Sequence, residues 1–370
     1  MKSETLKFSG RLAVQQRVLP DYRAPFFEML AQRCKGGMEV FAGAPRPSEG
    51  IHPLAETRFS VCSYAKNIHI LDGPAYLCYQ NGLTHWLSSF DPDALIAEAN
   101  PRYLSTPQAV EWMHQRGRPV IGWGLGAPPI SGSFASVRLK RRQTFLKKFD
   151  ALIAYSRGGA QEYANLGFPA DRLFVATNAV GPTPAHPLPA RPAALTDHPM
   201  VLFVGRLQLR KRLDLLLKAC AVMEQHPRLV IVGDGPERMN LEALAKKEFP
   251  TAEFIGPKRG AELKPYFMEA DLFVLPGTGG LAVQEAMSYG LPVIVARGDG
   301  TQADLVREAN GWQVPPDSLP DLIHTLQQAL SDAGRLRRMG AESYRIVVEE
   351  INIGKMADAF VAALNSLRNS

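Results

Sequence analysis

One stretch, Ala270 to Ala296, limits the folds open to this chain. Leu272 to Leu275 is a short apolar run closed by Pro276 and Gly277, which predicts a buried strand. Gly280 to Tyr289 predicts a helix, stopped by Gly290 and followed by Pro292, and Pro292 to Val295 starts another strand. A strand, a glycine-rich turn and a helix start place free backbone N–H groups where an anion can meet them. Gly277, Gly279 and Gly280 take away the side chains that would keep a ligand from that backbone. Thr278 and Leu281 complete the turn. Glu285, near the middle of the predicted helix, could accept hydrogen bonds from sugar hydroxyls. An ordinary strand–turn–helix of an α/β domain would share the outline.

The run P-G-T-G-G-L-A-V-Q-E-A-M-S-Y-G-L-P-V-I resembles the nucleotide-sugar signature of retaining glycosyltransferase family 4, the group 1 glycosyl transferases. The resemblance implies the GT-B fold: α/β, with two Rossmann-like doubly wound domains facing each other across a cleft. In that family two glutamates are separated by seven residues, and E-A-M-x-x-G-x-P-V follows the second. Glu285 matches the second, which holds the nucleotide ribose. The first, which holds the donor sugar, should fall at position 277, where this chain has Gly277. The resemblance therefore implies donor hydroxyls bonded by the backbone of Gly279, Gly280 and Leu281.

Further motifs follow in the family's order. Val201 to Val204 predicts a strand, and Gly205-Arg-Leu-Gln-Leu-Arg-Lys211 resembles G-R-L-x-x-x-K, in which the arginine and lysine clamp the donor diphosphate. Arg206 and Lys211 take those places, and Arg212 replaces a glycine that often follows. Two cations beside a departing diphosphate stabilise the charge that grows on it. Leu229 to Gly235 resembles the I-x-G-x-G-P segment on the nucleotide side of the cleft, which brings in Gly235. It lacks G-x-G-x-x-G, so a dinucleotide site has little support. Phe254 to Lys258 fits the loop that meets the base, with Lys258 as the contact because Pro257 has no N–H. Gly298 to Thr301 opens another helix, and Arg345 to Leu367 predicts one long helix whose end, by resemblance, returns to the first domain.

The N-terminal half matches more diffusely. Leu12 to Gln16, Met38 to Ala42, Asn67 to Leu71, Ala94 to Ile96 and Ala151 to Tyr155 predict strands. Pro20-Asp-Tyr-Arg23 stands where the family has glycines, and Arg23 could reach a phosphate or an acceptor, or be a surface arginine. Where the family places a histidine against the donor sugar, Gly122 to Pro129 offers Trp123, either a stacking platform or the filling of a tight turn. Asp91-Pro-Asp93 has the form of a metal motif from GT-A enzymes, but Pro92 marks a turn and the aspartates are expected to shape a loop. Gly167 to Val180 resembles the family's last hairpin of the first domain.

A chain of 370 residues exceeds the size at which one core keeps growing, so two domains are expected. The first is assigned to 1–185, completed by a C-terminal helix at about 353–370; 186–198, within a run of six prolines from Gly181 to Pro199, is the linker; 199–352 is the nucleotide-sugar domain. Residues 1–180 carry 21 Lys+Arg against 14 Asp+Glu, a net of +7, and the remainder a net of −1. The basic half could face anionic lipid or a phosphorylated acceptor. Arg138 to Phe149, basic with interleaved Leu139, Phe145, Leu146 and Phe149, suits either a membrane surface or a solvated helix packed on its own domain. There is no nucleic-acid motif.

Cys34, Cys62, Cys78 and Cys220 are scattered and expected to be reduced, in a cytoplasmic protein that could contact the membrane periphery. No apolar run reaches the length of a membrane span. The expected function is retaining, metal-free transfer of a sugar from a nucleotide-diphosphate sugar, UDP-linked before GDP-linked, to a hydroxyl of a glycan, lipid or small molecule. No cofactor is expected. A nucleotide-sugar-binding protein without turnover and a GT-B epimerase are the alternatives.

Overall fold

The computed structural model describes residues 6–49, 51, 53–54, 62–132, 134–298 and 300–368. Met1 to Thr5 and Asp299, the latter in the turn expected to open a helix at Thr301, lie outside them. The chain forms two compact units, Met1–Pro182 with Ile353–Ser370, and Thr183–Asn352.

In the first unit the strands are β1 (Leu12–Val18), β2 (Met38–Gly43), β3 (Cys62–Ile70), β4 (Leu77–Asn81), β5 (Ala94–Glu98), β6 (Val120–Gly124), β7 (Ala151–Ala154) and β8 (Leu173–Val175). Their order in one sheet is β4-β3-β2-β1-β5-β6-β7-β8. All neighbours pair in parallel except β3 and β4, an edge hairpin. Strands covered on both faces are apolar throughout rather than alternating, and β5, β6 and β7 show this. The order reverses between β1 and β5, which makes their C-terminal ends the switch point of a doubly wound sheet.

The second unit repeats the plan with β9 (Met200–Val204), β10 (Arg228–Val232), β11 (Glu253–Gly256), β12 (Leu272–Leu275), β13 (Val293–Ala296) and β14 (Gly311–Val314). The order is β11-β10-β9-β12-β13-β14, all parallel, so the switch point lies between β9 and β12. Both units therefore have the doubly wound α/β fold expected of GT-B.

Several local expectations are corrected. The expected hairpin after Gly167 is absent, because β8 pairs in parallel with β7. The expected linker is packed on the second unit. Arg191 donates to the carbonyls of Phe267, Met268, Ala270 and Tyr289, and the His186 ring stacks on Tyr289 at 4.8 Å. The single long helix from Arg345 is two, Ala333–Glu349 and Ile353–Ser366. The break has a cause in Asn352, whose amide donates to the carbonyls of Val347 and Val348 at 2.9 and 3.1 Å and so caps the first helix. Asp91 and Asp93 do shape a loop: Asp91 pairs with Arg11 and Arg118, and Asp93 accepts from the Arg11 N–H at 2.7 Å.

The helix Ile353–Ser366 belongs to the first unit and packs on the helix Ala24–Arg33. Phe360 sits edge-on to Phe26 and Trp123 with centroids 5.0 and 4.9 Å apart. No helix among the described residues is long and apolar enough to cross a membrane. Phe360→Ala is expected to cost about 3–5 kcal/mol, the usual range for a large core aromatic. Urea denaturation checks this, and a loss under about 1 kcal/mol would detach the last helix from the core of the first unit.

Candidate functional site

In the second unit the expected donor residues all lie just beyond the C-terminal ends of four adjacent strands. Gly205, Arg206 and Lys211 follow β9, Gly235 follows β10, Lys258 follows β11, and Thr278, Gly279, Gly280, Leu281 and Glu285 follow β12. Ligands of open α/β sheets bind in the crevice at this end, beside the switch point.

Two loops meet there. The Thr278 N–H donates to the Arg210 carbonyl at 3.0 Å, and Lys211 Nζ donates to the Thr278 carbonyl at 2.8 Å. Lys211 is only 6% exposed. Burial, reinforced by the charge of Arg210, pushes its ammonium down to about 8. No carboxylate pairs with it among the described residues. A buried cation whose one partner is a neutral carbonyl is a socket for an anion. Arg206 and Arg210 are exposed on the same loop. Arg210 was not among the expected residues, yet its Nη1 would stand 3.2 Å, and Lys211 Nζ 3.7 Å, from a Cβ built on Gly279. Its signal in the sequence was the density of the run Leu209-Arg-Lys-Arg212.

Gly277 is decided by packing. A Cβ there would lie 2.2 Å from the Arg210 carbonyl oxygen and 2.5 Å from Lys211 Cα. The family's sugar-holding glutamate cannot be accommodated at this position. The helix expected from Gly280 starts at Ala282 and ends at Ser288, because Gly279 and Gly280 have φ of +66° and +141°. The loop is thus longer and the helix shorter than the sequence implied. Glu285 stands in the first turn, half-buried, and burial raises its carboxyl above the ordinary range. Its carboxylate has no partner among the described residues. Gly235 is explained by the protein itself, since a Cβ would meet the Leu207 carbonyl oxygen at 2.3 Å. Gly205 is not: its Cβ would touch only the Phe203 ring, at 3.4 Å, so the space beside it is open to a ligand. Lys258 Nζ lies 3.6 Å from Glu262. Arg212, in the family's glycine position, adopts φ +53° and pairs with Asp214 and Asp317.

The first unit gathers a second set of groups at its own switch point. Arg23 is not a surface residue. It is 6% exposed, its guanidinium lies 4.9 Å from the Trp123 ring centroid and 5.5 Å from that of Tyr155, and its Nη1 has no hydrogen-bond partner. Trp123 is no open stacking platform. It is 1% exposed among Phe26, Phe27, Tyr155 and Phe360, and its Nε1 is likewise unpartnered. Glu98, at the end of β5, escaped the sequence reading. Burial pushes its carboxyl up to about 7, against the pull of Arg17, whose backbone N–H donates to it, and of Arg23. A glutamate closing the apolar run Ala94-Leu-Ile-Ala-Glu98 was the available signal. Cys34, Cys78 and Cys220 are buried free thiols.

Residues 188–346 match the model of the family described as Glycosyl transferases group 1. Over these residues the chain is similar to the group 1 glycosyl transferases. The sulfoquinovosyl transferase SQD2 of Arabidopsis thaliana is 35% identical over 163 residues, 40% of this chain and 31% of that protein. The match thus spans about a third of that relative's length. The lipopolysaccharide core biosynthesis glycosyltransferase LpsE of Rhizobium meliloti is 24% identical over 76% of this chain and 87% of its own. Among solved structures, Anabaena HepE in complex with UDP superimposes with a TM-score of 0.70 at 17% identity, covering 96% of this chain and 99% of that one. That likeness shows the GT-B fold for the chain.

Two expectations follow from the geometry. Gly277→Glu should destabilise the protein by about 2 kcal/mol or more, as overpacking against backbone does, and should not tighten nucleotide-sugar binding. Urea denaturation together with calorimetric titration checks both. Lys211, with a folded value of about 8 against 10.5 when solvated, releases its proton early. The unfolded chain holds more protons between these values, so stability should rise with pH across that window. Affinity for a nucleoside diphosphate should move the other way, falling about tenfold per pH unit above 8, whereas Lys211→Met should show weak binding with no such dependence.

Proposed function

We propose that the chain is a glycosyltransferase that moves a sugar from a nucleotide-diphosphate sugar to a hydroxyl, with retention and without a metal. The observation that carries this is the buried Lys211 ammonium, which has no counter-ion among the described residues, beside Gly279 at the switch point of the second unit. A diphosphate supplies the missing negative charge. Arg206, Arg210 and Lys211 then stand where charge grows as the anomeric C–O bond breaks and its electron pair passes to the phosphate. The acceptor oxygen bonds to the anomeric carbon on the same face, and its proton passes to the departing phosphate. In this reading the protein's cations stabilise the leaving group, and no side-chain nucleophile is required.

Glu285 holds the ribose. An unpartnered, half-buried carboxylate needs donors, and a pair of vicinal hydroxyls supplies two. Gly205 leaves room for the diphosphate backbone, and Lys258 borders the base. UDP is the favoured nucleotide, on the strength of the fold shared with a UDP-bound structure; the acceptor is a glycan, lipid or small molecule. Gly277 supports a second reading, a nucleotide-sugar-binding protein without turnover, because the site cannot hold the family's first carboxylate.

Incubation with UDP-, GDP- and ADP-sugars separates the two, since transfer or slow hydrolysis means an enzyme and binding alone means a sensor. Arg206→Ala and Lys211→Ala should each lower turnover about 100-fold or more with the fold retained. Wild-type rates in both would remove the diphosphate assignment. Glu285→Gln should weaken free nucleotide and nucleotide sugar alike; unchanged nucleotide affinity would end the ribose role.

A further inference from the structure

The first unit contains a hollow of about 460 Å³ beyond the ends of β5, β6 and β7, bordered by Glu98, Asn100, Arg102, Trp123, Arg142 and Tyr155. A second hollow of about 300 Å³ shares Pro101, Arg102 and Arg142 with it and adds Arg138, Arg141 and Tyr76. Four arginines therefore border two adjoining spaces in which, among the described residues, the single acidic side chain is Glu98.

Three of them, Arg102, Arg141 and Arg142, make no ion pair with a carboxylate among the described residues. Arg142 Nη1 donates to the Pro128 carbonyl at 2.6 Å, a neutral partner. Burial, first of all, holds the Arg142 guanidinium below its ordinary range; Glu162 opposes this, and the charges of Arg102 and Arg138 add to it. Like charges held together at a concave surface raise each other's energy unless an anion joins them. One further donor belongs to a side chain that borders the first hollow: Trp123 Nε1 is a buried N–H group without an acceptor, on a side chain 1% exposed. Unmet buried donors call for an oxygen-rich partner.

We propose that these hollows take an acceptor bearing a phosphate monoester, the phosphate held by Arg102 and Arg142, and a hydroxyl of the acceptor bonded to Glu98. The planar guanidinium fork matches the phosphate oxygens, and two such groups without carboxylates distinguish a phosphorylated acceptor from a neutral glycan. The assignment rests on the transferase reading of the chain, since it names that transferase's acceptor. The phosphate could belong to a soluble sugar or polyol phosphate, or to a lipid headgroup.

The test is calorimetric titration of the full chain with sn-glycerol 3-phosphate and with glycerol, under saturating UDP so that Lys211 is occupied. Vesicle flotation with phosphatidic acid in phosphatidylcholine, and with phosphatidylcholine alone, forms the lipid arm. Glycerol 3-phosphate binding without glycerol binding supports a soluble acceptor, and flotation only with phosphatidic acid supports a lipid one. In either arm Arg102→Gln should weaken binding at least tenfold while UDP affinity stays at the wild-type value. Arg102 is exposed, so this variant tests the ligand rather than the fold. Arg142→Lys should lose less than Arg142→Gln, since a cation remains. Absence of phosphate-dependent binding in both arms, or binding that Arg102→Gln and Arg142→Gln leave unchanged, overturns the proposal. Failure of the transferase reading shows separately, as loss of nucleotide-sugar turnover and of Lys211-dependent nucleotide binding, whatever glycerol 3-phosphate does.

Discussion

The second unit depends on one contact between two loops. The backbone at Gly277 runs so close to Arg210 and Lys211 that no side-chain atom fits between them. This approach lets the Thr278 N–H reach the Arg210 carbonyl and the Lys211 ammonium reach the Thr278 carbonyl. Those two bonds join the ends of β9 and β12, the strands between which the sheet reverses its order. A crevice at that point is a consequence of topology; its charge is a consequence of the contact. The contact holds an ammonium below the surface while supplying only a neutral carbonyl. The protein keeps a group that costs it stability there, and a bound diphosphate would relieve that cost.

The first unit is organised around a different interaction, the cluster of Phe26, Phe27, Trp123 and Phe360. The last of these comes from the far end of the chain. The final helix therefore completes the core on which the ends of β6 and β7 rest. Arg23 lies over the Trp123 and Tyr155 rings, where aromatic faces compensate part of its lost hydration. Its Nη1 has no hydrogen-bond partner, so the compensation is incomplete. The charge of this arginine also acts on Glu98, opposing the rise that burial gives its carboxyl.

What was legible in the sequence was local. Strands such as Val201–Val204 and Leu272–Leu275 announce themselves as apolar runs closed by glycine or proline, and G-R-L-x-x-x-K carries its own chemistry on consecutive residues. What was hidden depends on partners far along the chain. Gly277 looked like a lost carboxylate, and only the position of Lys211, 66 residues earlier, shows why a side chain is excluded. Trp123 could be a platform or a filler until Phe360 is seen against it. Glu98 went without a reading because nothing nearby in sequence marks its carboxylate as buried. The prolines from Gly181 to Pro199 lack periodicity, which suggested a linker; Arg191 instead finds four carbonyls on the second unit. Even the helix at Glu285 was mislocated by two residues, since positive φ at Gly279 and Gly280 cannot be read from glycine alone.

The close approach at Gly277 also bears on selectivity. The family's first glutamate accepts hydrogen bonds from donor hydroxyls, and backbone N–H groups cannot take over that task, because they only donate. Nor can the carboxylate be restored in place, since a Cβ would displace the Arg210 carbonyl and the Lys211 backbone. In the proposed transferase two uses of the same space compete, seating a cation for the diphosphate or seating a carboxylate for the sugar, and the packing at Gly277 favours the cation. On that reading, discrimination among sugars would come from side chains elsewhere or from the acceptor, and affinity would be concentrated on the diphosphate and ribose, which nucleotide sugars with different hexoses share. A site built in this way binds the common part of its donors firmly and reads the variable part loosely.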